Sequence, residues 1–243
     1  MEGDSFEALA EYEPQARAAL TALETLPGGE EYADWLRERL DLIEAAKTAA
    51  KSPPPPRPPA PLPGKPPVAA PLPYYDLWVQ RLRARPAPAA AAKLMPTLRE
   101  AFVAEGVPAE LAWLAEVEST LNPSARSPAG AMGLFQLMPA TAKAQGLSTW
   151  LPDERTQPEK SARAAARLLR SLHAQFGDWP LALAAYNAGA GRVGRALAAA
   201  PERTFNGIAP RLPAETRLYV PKVCATVAVR TGVTPERLAR PRS

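Results

Sequence analysis

Histidine and cysteine are almost missing from this 243-residue chain, which contains one of each. The single Cys224 excludes an intramolecular disulfide, and its apolar setting in "YVPKVCATVAV" predicts a buried, inert thiol. The single His173 excludes any metal site or catalytic triad that needs two histidines. We expect His173 on the solvated side of the helix "SARAAARLLRSLHAQF", near its C-terminus. Catalytic chemistry would therefore have to come from other side chains.

Long apolar runs are missing too. No segment approaches the ~20 apolar residues that cross a bilayer. The first residues, "MEGDSFEALAEYEPQ", carry acids where a secretory signal needs a basic start and an apolar core. Strand signals are scarce, apart from a short irregular wing expected near "SPAGAMGLFQL". Because 47% of the residues are apolar and helical spacing dominates, the sequence predicts a mainly α-helical protein with a sizeable core.

Proline, in contrast, is abundant and uneven, with 30 residues that divide the chain into three regions. Residues 1–52 predict a small helical hairpin that turns at Pro27-Gly28-Gly29. Residues 53–73, "PPPPRPPAPLPGKPPVAAPLP", predict an extended polyproline linker, either a stiff spacer or a docking segment for an aromatic groove. Residues 74–243 predict a helical domain, with a helix break at Pro96 and a last helix that Pro221 bends or delimits. Such a linker predicts few contacts across it, so we expect residues 74–243 to fold alone.

Charge follows the same division. Residues 1–52 hold 5 Lys and Arg against 12 Asp and Glu, a net charge of −7, while residues 74–243 have a net charge of +9. The basic region suits an anionic polymer. Nucleic acid is disfavoured, because we find no helix-turn-helix spacing, zinc pattern or interleaved aromatic platform. The acidic segment could dock on the basic domain, or residues 1–73 could bind a wall or envelope protein.

Glu118 is the strongest candidate for catalysis. In "GVPAELAWLAEVESTLNP", Pro108 suits a first helical position, and Leu111, Leu114 and Glu118 share one helical face. The acids Glu110 and Glu116 fall off that face, where we expect water to reach them. A carboxyl held against apolar side chains has a raised pKa, which suits a general acid. Pro123 should end the helix, so that Glu118 borders a cleft.

Three later segments carry further polar candidates: "SPAGAMGLFQLMPATA", "AAYNAGAGRV" and "ETRLYVPKV". In the first, Gln136 is an amide in an apolar run, so it needs a hydrogen-bond partner that a bound sugar could supply. In the last, Glu215 and Tyr219 are four residues apart, hence neighbours on a helix.

The four segments together, "ESTLNP", "GLFQLMP", "AYNAG" and "ETRLYV", resemble the soluble-lytic-transglycosylase-like family, and most of all its membrane-bound lytic murein transglycosylase D type. The resemblance covers roughly residues 74–229. Phe135 stands where Met is usual and Ala190 where Pro is usual, which affects the expected subsite shape more than the reaction. The resemblance implies a lysozyme-like (goose-type) helical catalytic domain, preceded here by the small helical segment.

The resemblance also implies roles. Glu118 would act as acid and then as base on the MurNAc-β-1,4-GlcNAc bond of peptidoglycan glycan strands, giving 1,6-anhydro-MurNAc ends without a metal or cofactor. The 2-acetamido group of the sugar would support the developing positive charge. Substrate-binding roles fall on the matching positions Ser127, Gln136, Met138, Tyr186, Asn187, Glu215 and Tyr219. It implies work in the bacterial cell envelope, in the periplasm or at the outer membrane, although no export signal is visible.

Other interpretations stay open. A hydrolytic muramidase of the same fold, or an inactive glycan-binding domain, would carry similar motifs. Glu118 could instead be a buried structural acid paired with Arg126. Ser127 and Gln136 could serve a turn or cap, Met138 the core, and Asn187 a helix end.

Overall fold

The computed structural model describes residues 5–52 and 71–242 of the chain. The described part contains twelve α-helices joined by short loops and 3₁₀ turns. They are α1 Phe6–Ala10, α2 Glu13–Thr25, α3 Glu30–Ala50, α4 Tyr75–Arg83, α5 Ala91–Ala104, α6 Leu114–Ser119, α7 Pro139–Ala144, α8 Pro158–Phe176, α9 Trp179–Ala188, α10 Ala190–Ala198, α11 Phe205–Ile208 and α12 Ala214–Thr231. The prediction of a mainly α-helical fold is therefore confirmed.

Sequence explains where the long helices begin and end. α8 has Pro158 in its first turn, where the missing N–H costs nothing, and ends at Gly177, whose φ of 75° lies in the left-handed region. Its buried residues Ala162, Ala165, Ala166 and Leu169 recur at helical spacing, so one face packs and the other carries charge. α9 is apolar all round and lies inside the domain.

The core of the C-terminal domain forms where α5, α8, α9 and α12 pack together. Phe102 on α5 and Phe135, in the segment between α6 and α7, lie with ring centroids 5.5 Å apart. Cys224 is buried on α12, as predicted, and burial raises the pKa of its thiol. No described helix is both long and apolar enough to cross a membrane.

The predicted helix break at Pro96 is wrong, and Pro221 does not delimit the last helix. Pro96 lies inside α5 and Pro221 inside α12, and both helices continue past them. A proline removes one backbone hydrogen bond, and burial of the surrounding apolar residues offsets that cost. His173 is also buried rather than solvated, because its ring packs on Trp179 with centroids 4.4 Å apart.

The N-terminal hairpin does not stand apart from the catalytic domain. Helices α1–α3 form it, and α3 lies against α6 and α12. A shared apolar cluster, here called the hairpin interface, joins Phe6, Leu42, Ala45, Ala46 and Ala49 to Trp78, Leu82, Ala214, Leu218 and Ala225. The prediction of few contacts across the linker is therefore wrong for the described residues. The linker prediction itself falls largely on residues 53–70, outside the described residues.

Candidate active site

Glu118 lies at the end of a short helix that a left-handed turn stops. Pro108 precedes a 3₁₀ turn over Ala109–Trp113 instead of starting the α-helix, and α6 follows directly. Thr120 and Leu121 have φ of 53° and 62°, and their N–H groups donate to carbonyls of α6. This cap ends the helix before Pro123 is reached, contrary to the prediction. The sharp turn leaves Glu118 in the final turn of α6.

The predicted contrast between Glu116 and Glu118 is only half right. Glu118 is 8% exposed, as its apolar face predicts. Glu116 was expected in water, but it is equally buried and forms a two-pronged ion pair with Arg230 on α12. Helical periodicity missed this because α12 covers the second side of α6. The pair fixes α6 to α12, the helix that also carries Tyr219.

Tyr219 contacts Glu118 directly. Its hydroxyl donates a hydrogen bond to Oε1 of Glu118. Burial raises the pKa of Glu118 from 4.5 to about 7, and the negative charges of Glu215 and Glu38 act in the same direction. The positive charge of Arg39 and the Tyr219 hydrogen bond oppose this rise. Glu118 therefore titrates close to neutral pH, where one carboxyl can both donate and accept a proton.

Asn187 and Glu215 form a polar network beside this pair. Asn187 ends α9, and its Nδ2 donates to Oε1 of Glu215 over 3.3 Å, while Thr216 Oγ1 donates to Asn187 Oδ1 over 2.7 Å. Glu215 in turn forms an ion pair with Arg39 of α3. The network joins three helices at the edge of the site.

Gln136 lies in the irregular wing, which two isolated β-bridges stabilise. Its backbone is left-handed, with φ of 45°, and its Nε2 donates to the carbonyls of Ala125 and Gly133 at 3.1 and 3.0 Å. Its Oε1 is buried and has no partner within the described residues. An acceptor left unpaired in this way is costly unless a ligand or water donates to it. Gln136 Oε1 is therefore an acceptor that the described residues leave unpaired.

The remaining predicted residues lie around the same region with different contacts. Tyr186 donates to the carbonyl of Phe135 at 2.7 Å, and the charge of Glu118 contributes to its raised pKa, after burial. Ser127 Oγ accepts from the N–H of Ala131 at 3.0 Å, which is the turn role left open for it. Met138 is 42% exposed, so it is not a core residue. Arg126 pairs with Glu31 and not with Glu118.

Two arginines near the site were missed from the sequence. Arg155 is 5% exposed, although it lies in the charged segment "LPDERTQPEK". Its Nη1 donates to the carbonyls of Gly130 and Leu137, and Asp153 pairs with its other side, so it holds the wing in shape. Arg39 lies 176 positions from its partner Glu215, so no local pattern could reveal the contact. No group of three or more His, Cys, Asp or Glu that could hold a metal occurs in residues 5–52 and 71–242.

The helical fold of the described residues resembles that of lysozyme-like lytic transglycosylases, and its site combines a buried carboxyl at a helix end, a tyrosine hydroxyl on that carboxyl and an irregular wing beside it. Residues 99–208 match the family model described as the transglycosylase SLT domain, in agreement with the family that the four motifs resemble.

Known relatives agree with this placement. The chain is 40% identical over 123 residues to membrane-bound lytic murein transglycosylase D of Escherichia coli (strain K12), covering 49% of this chain and 27% of that protein. It is 38% identical over 121 residues to the soluble lytic murein transglycosylase of Salmonella typhimurium, covering 46% of this chain and 19% of that protein. The chain thus spans well under half the length of these relatives.

Solved structures give the same fold. The 70 kDa soluble lytic transglycosylase of Escherichia coli has a TM-score of 0.54 and 30% identity, covering 68% of this chain and 30% of that one. An inactive Glu-to-Gln mutant of the lytic transglycosylase Slt from Pseudomonas aeruginosa has a TM-score of 0.52 and 26% identity, with the same coverage.

Proposed function

We propose that this protein is a peptidoglycan lytic transglycosylase in which Glu118 serves as acid and then as base. One observation carries the proposal. Three carboxyl side chains, Asp41, Glu116 and Glu118, are less than a tenth exposed among the described residues. Asp41 and Glu116 each pair with cations, whereas Glu118 has only the Tyr219 hydroxyl as a hydrogen-bond partner in the described part of the chain. An unpaired buried carboxyl has a raised pKa, as a general acid needs.

The reaction follows from that ionisation. Protonated Glu118 gives its proton to the glycosidic oxygen of the MurNAc-β-1,4-GlcNAc bond as the bond from C1 to that oxygen breaks. The 2-acetamido group of the sugar supports the positive charge that develops at C1. Glu118, now a carboxylate, takes the proton of the C6 hydroxyl, and O6 bonds to C1 to close a 1,6-anhydro ring. Glu118 ends protonated again, and no water is consumed.

The neighbours of Glu118 have roles that fit this cycle. The Tyr219 hydroxyl orients the carboxyl, and Gln136 Oε1 offers an acceptor to a sugar N–H or O–H. Glu215 has no role as a second catalytic base in this proposal, because it already forms an ion pair with Arg39 and accepts a hydrogen bond from Asn187. A C6 hydroxyl held near C1 has a large effective concentration compared with water. The relatives named lytic murein transglycosylases support the same assignment, as does the inactive Glu-to-Gln mutant of the related Slt.

The competing function is hydrolysis by the same residues, as in a muramidase. Digestion of purified peptidoglycan in ¹⁸O-water separates the two. We expect anhydro-muropeptides that contain no label, because O6 and not water attacks C1. Label at C1 in most new ends would make the protein a muramidase. Absence of any cleavage, with glycan binding retained, would make it a binding domain. The substrate places the protein in the bacterial cell envelope, and this location is part of the proposal.

A further inference from the structure

One face of α3 lies along residues 120–126, the loop that comes after the helix carrying Glu118. The carbonyl of Glu31 accepts from the N–H of Arg126 at 2.8 Å. One turn later Asp34 accepts from Asn122 at 2.7 Å, and Glu38 accepts from Thr120 at 2.9 Å. These three α3 residues are spaced by three and four positions, so they form a single stripe along the helix. The stripe fixes α3 alongside residues 120–126, within a few residues of the candidate catalytic carboxyl.

A buried charge cluster fixes the same helix to α12. Lys222 lies one turn after Tyr219 on α12 and is 2% exposed. Its Nζ lies 2.5 Å from Glu38 and 2.9 Å from Asp41. Breaking such a pair on one side leaves an uncompensated buried charge, so the contact resists separation. The position of α3 relative to Tyr219 is therefore set from both sides.

Arg39 extends from this fixed helix into the polar network of the site. Its guanidinium forms an ion pair with Glu215 and lies 5.6 Å from the ring centre of Trp35. Glu215 has one other partner, the amide of Asn187, and Asn187 is held by Thr216. Arg39 supplies the positive charge of this network. It lies outside residues 99–208, the range that matches the SLT domain.

We infer that Arg39 is a positioning residue of the active site, which holds Glu215 in place and shields Glu118 from the negative charge of that carboxylate. The inference rests on the proposed function, because it assumes that the ionisation of Glu118 governs the reaction. It makes the N-terminal hairpin a part of the catalytic machinery.

The charges around Glu118 give this role a direction. The groups that interact electrostatically with Glu118 are Arg39 and Glu38 on α3, Glu215 and Tyr219 on α12, and Tyr186 on α9. Burial is the main cause of the raised pKa of Glu118, Arg39 lowers it, and Glu215 raises it. Loss of Arg39 removes a positive charge and leaves Glu215 unneutralised, so both effects raise the pKa of Glu118. Loss of the Glu215 charge has the opposite effect.

The test is the pH dependence of kcat/KM for soluble glycan strands. Its alkaline limb reports the loss of the acid form of Glu118 in the free enzyme. We expect this limb to move to higher pH by about half a unit or more in Arg39→Gln. The limb should move to lower pH in Glu215→Gln and stay near its wild-type position in Arg39→Lys. In the double variant Arg39→Gln, Glu215→Gln it should lie between the positions found for the two single variants.

Lys47→Gln is the matched control. Lys47 is on the same helix and also makes one ion pair, but to Glu13 of α2, and its side chain is 56% exposed. It removes one positive charge from α3, and its limb should coincide with that of wild type. If the alkaline limb of Arg39→Gln lies at the same pH as that of wild type, whatever the change in thermal stability, Arg39 has only a structural role and the inference is overturned.

Two further variants keep the outcomes separate. If Arg39→Gln does not fold, Glu215→Gln decides, since a limb that fails to move to lower pH also overturns the inference. Glu118→Gln separates the proposed function from the role of Arg39. Full activity in Glu118→Gln would contradict the proposed function. If Glu118→Gln is inactive and the alkaline limbs of the Arg39 and Glu215 variants do not move, only the role of Arg39 is contradicted.

Discussion

The pKa of a buried carboxyl group in this protein depends on the groups that surround it. Burial alone would raise the pKa of Asp41, but the charges and hydrogen bonds of Lys222 and Arg85 outweigh it and hold that pKa well below its usual range. Glu118 faces apolar residues and a tyrosine hydroxyl, so desolvation prevails and its pKa rises to about 7. Ionised Asp41 therefore stabilises the fold, whereas ionised Glu118 destabilises it.

Glu118→Gln should lower the rate of glycan cleavage by at least ~10²-fold while the fold stays intact. Glutamine has the shape of glutamate and can still accept the Tyr219 hydrogen bond, but it cannot exchange a proton with the substrate. The rate of release of soluble fragments from purified peptidoglycan measures the effect. Glu159→Gln, at an exposed ion pair with Arg163, is the control and should keep wild-type activity. Cleavage by Glu118→Gln at more than about a tenth of the wild-type rate would contradict the assigned role.

The same substitution should stabilise the protein at high pH. The pKa of Glu118 is about 7 in the folded state and near 4.5 when unfolded, so the folded state binds the proton more tightly. That contribution to stability is present below pH 4.5 and is lost as the pH rises through 7. At about pH 8 we expect Glu118→Gln to be more stable than wild type by on the order of 2 kcal/mol, and at about pH 4 to be equal.

Urea denaturation at the two pH values measures this difference. Both proteins should show the same dependence on urea concentration, so that the midpoint alone reports stability. A gain of equal size at both pH values would point to better packing by glutamine and not to the ionisation of Glu118.

At the scale of elements, backbone geometry at the wing decides where the polar side chains lie. Gly133 has φ of 82°, and a Cβ there would lie 2.0 Å from the carbonyl oxygen of Arg155. The Gly133 N–H also donates to the carbonyl of Ala125, and its own carbonyl accepts from Gln136. This close approach brings the Gln136 amide against the loop after Glu118, and it requires glycine for space as well as conformation.

Gly133→Ala should therefore destabilise the protein by about 3 kcal/mol or more, since backbone would have to move. Gly130 is the matched control in the same wing: its φ is 89°, but nothing lies within 4 Å of an added Cβ. Gly130→Ala should cost only the left-handed backbone penalty, about 1–2 kcal/mol. Thermal unfolding of the two variants measures the difference, and equal losses would show that crowding at Arg155 is unimportant.

The sequence predicts the elements better than their mutual contacts. Helical spacing predicted the helical fold and the burial of Glu118 correctly, because those signals are local. The solvated position predicted for Glu116 was wrong, since amphipathic periodicity recognises one buried face and Arg230 covers Glu116 on another. The Arg39–Glu215 pair depends on long-range packing, which no spacing rule contains.

At the scale of the whole molecule, the acidic hairpin and the basic domain form one packed unit within the described residues. Their net charges of −7 and +9 favour association, and direct side-chain contacts of α3, including those of Asp34, Glu38, Arg39 and Asp41, make that attraction specific. The hairpin interface adds apolar burial on both sides. This intramolecular docking uses much of the acidic surface that the sequence suggested for a wall or envelope partner.

Removing the hairpin should therefore cost the catalytic domain much of its stability. A chain that begins at residue 71 would expose Trp78, Leu82 and Leu218, and it would lose the burial of Phe6 and Leu42. Full burial of two such side chains contributes roughly 3–6 kcal/mol, against about 5–15 kcal/mol for the total stability of a typical protein. We expect the shortened chain to unfold at a clearly lower temperature and to associate through the exposed cluster, as thermal unfolding and sedimentation would measure.

A full chain cut once between residues 53 and 70 is the control for this truncation, because it keeps both pieces and all described contacts. Its hairpin should stay bound at low salt, and raised ionic strength should weaken the association, since screening acts on the exposed part of the charge attraction. The buried Lys222 cluster should be affected less, because its Nζ is shielded from solvent. If the chain from residue 71 melts at the temperature of the full chain, the hairpin interface contributes nothing. The catalytic domain would then be independent, as its linker composition predicts.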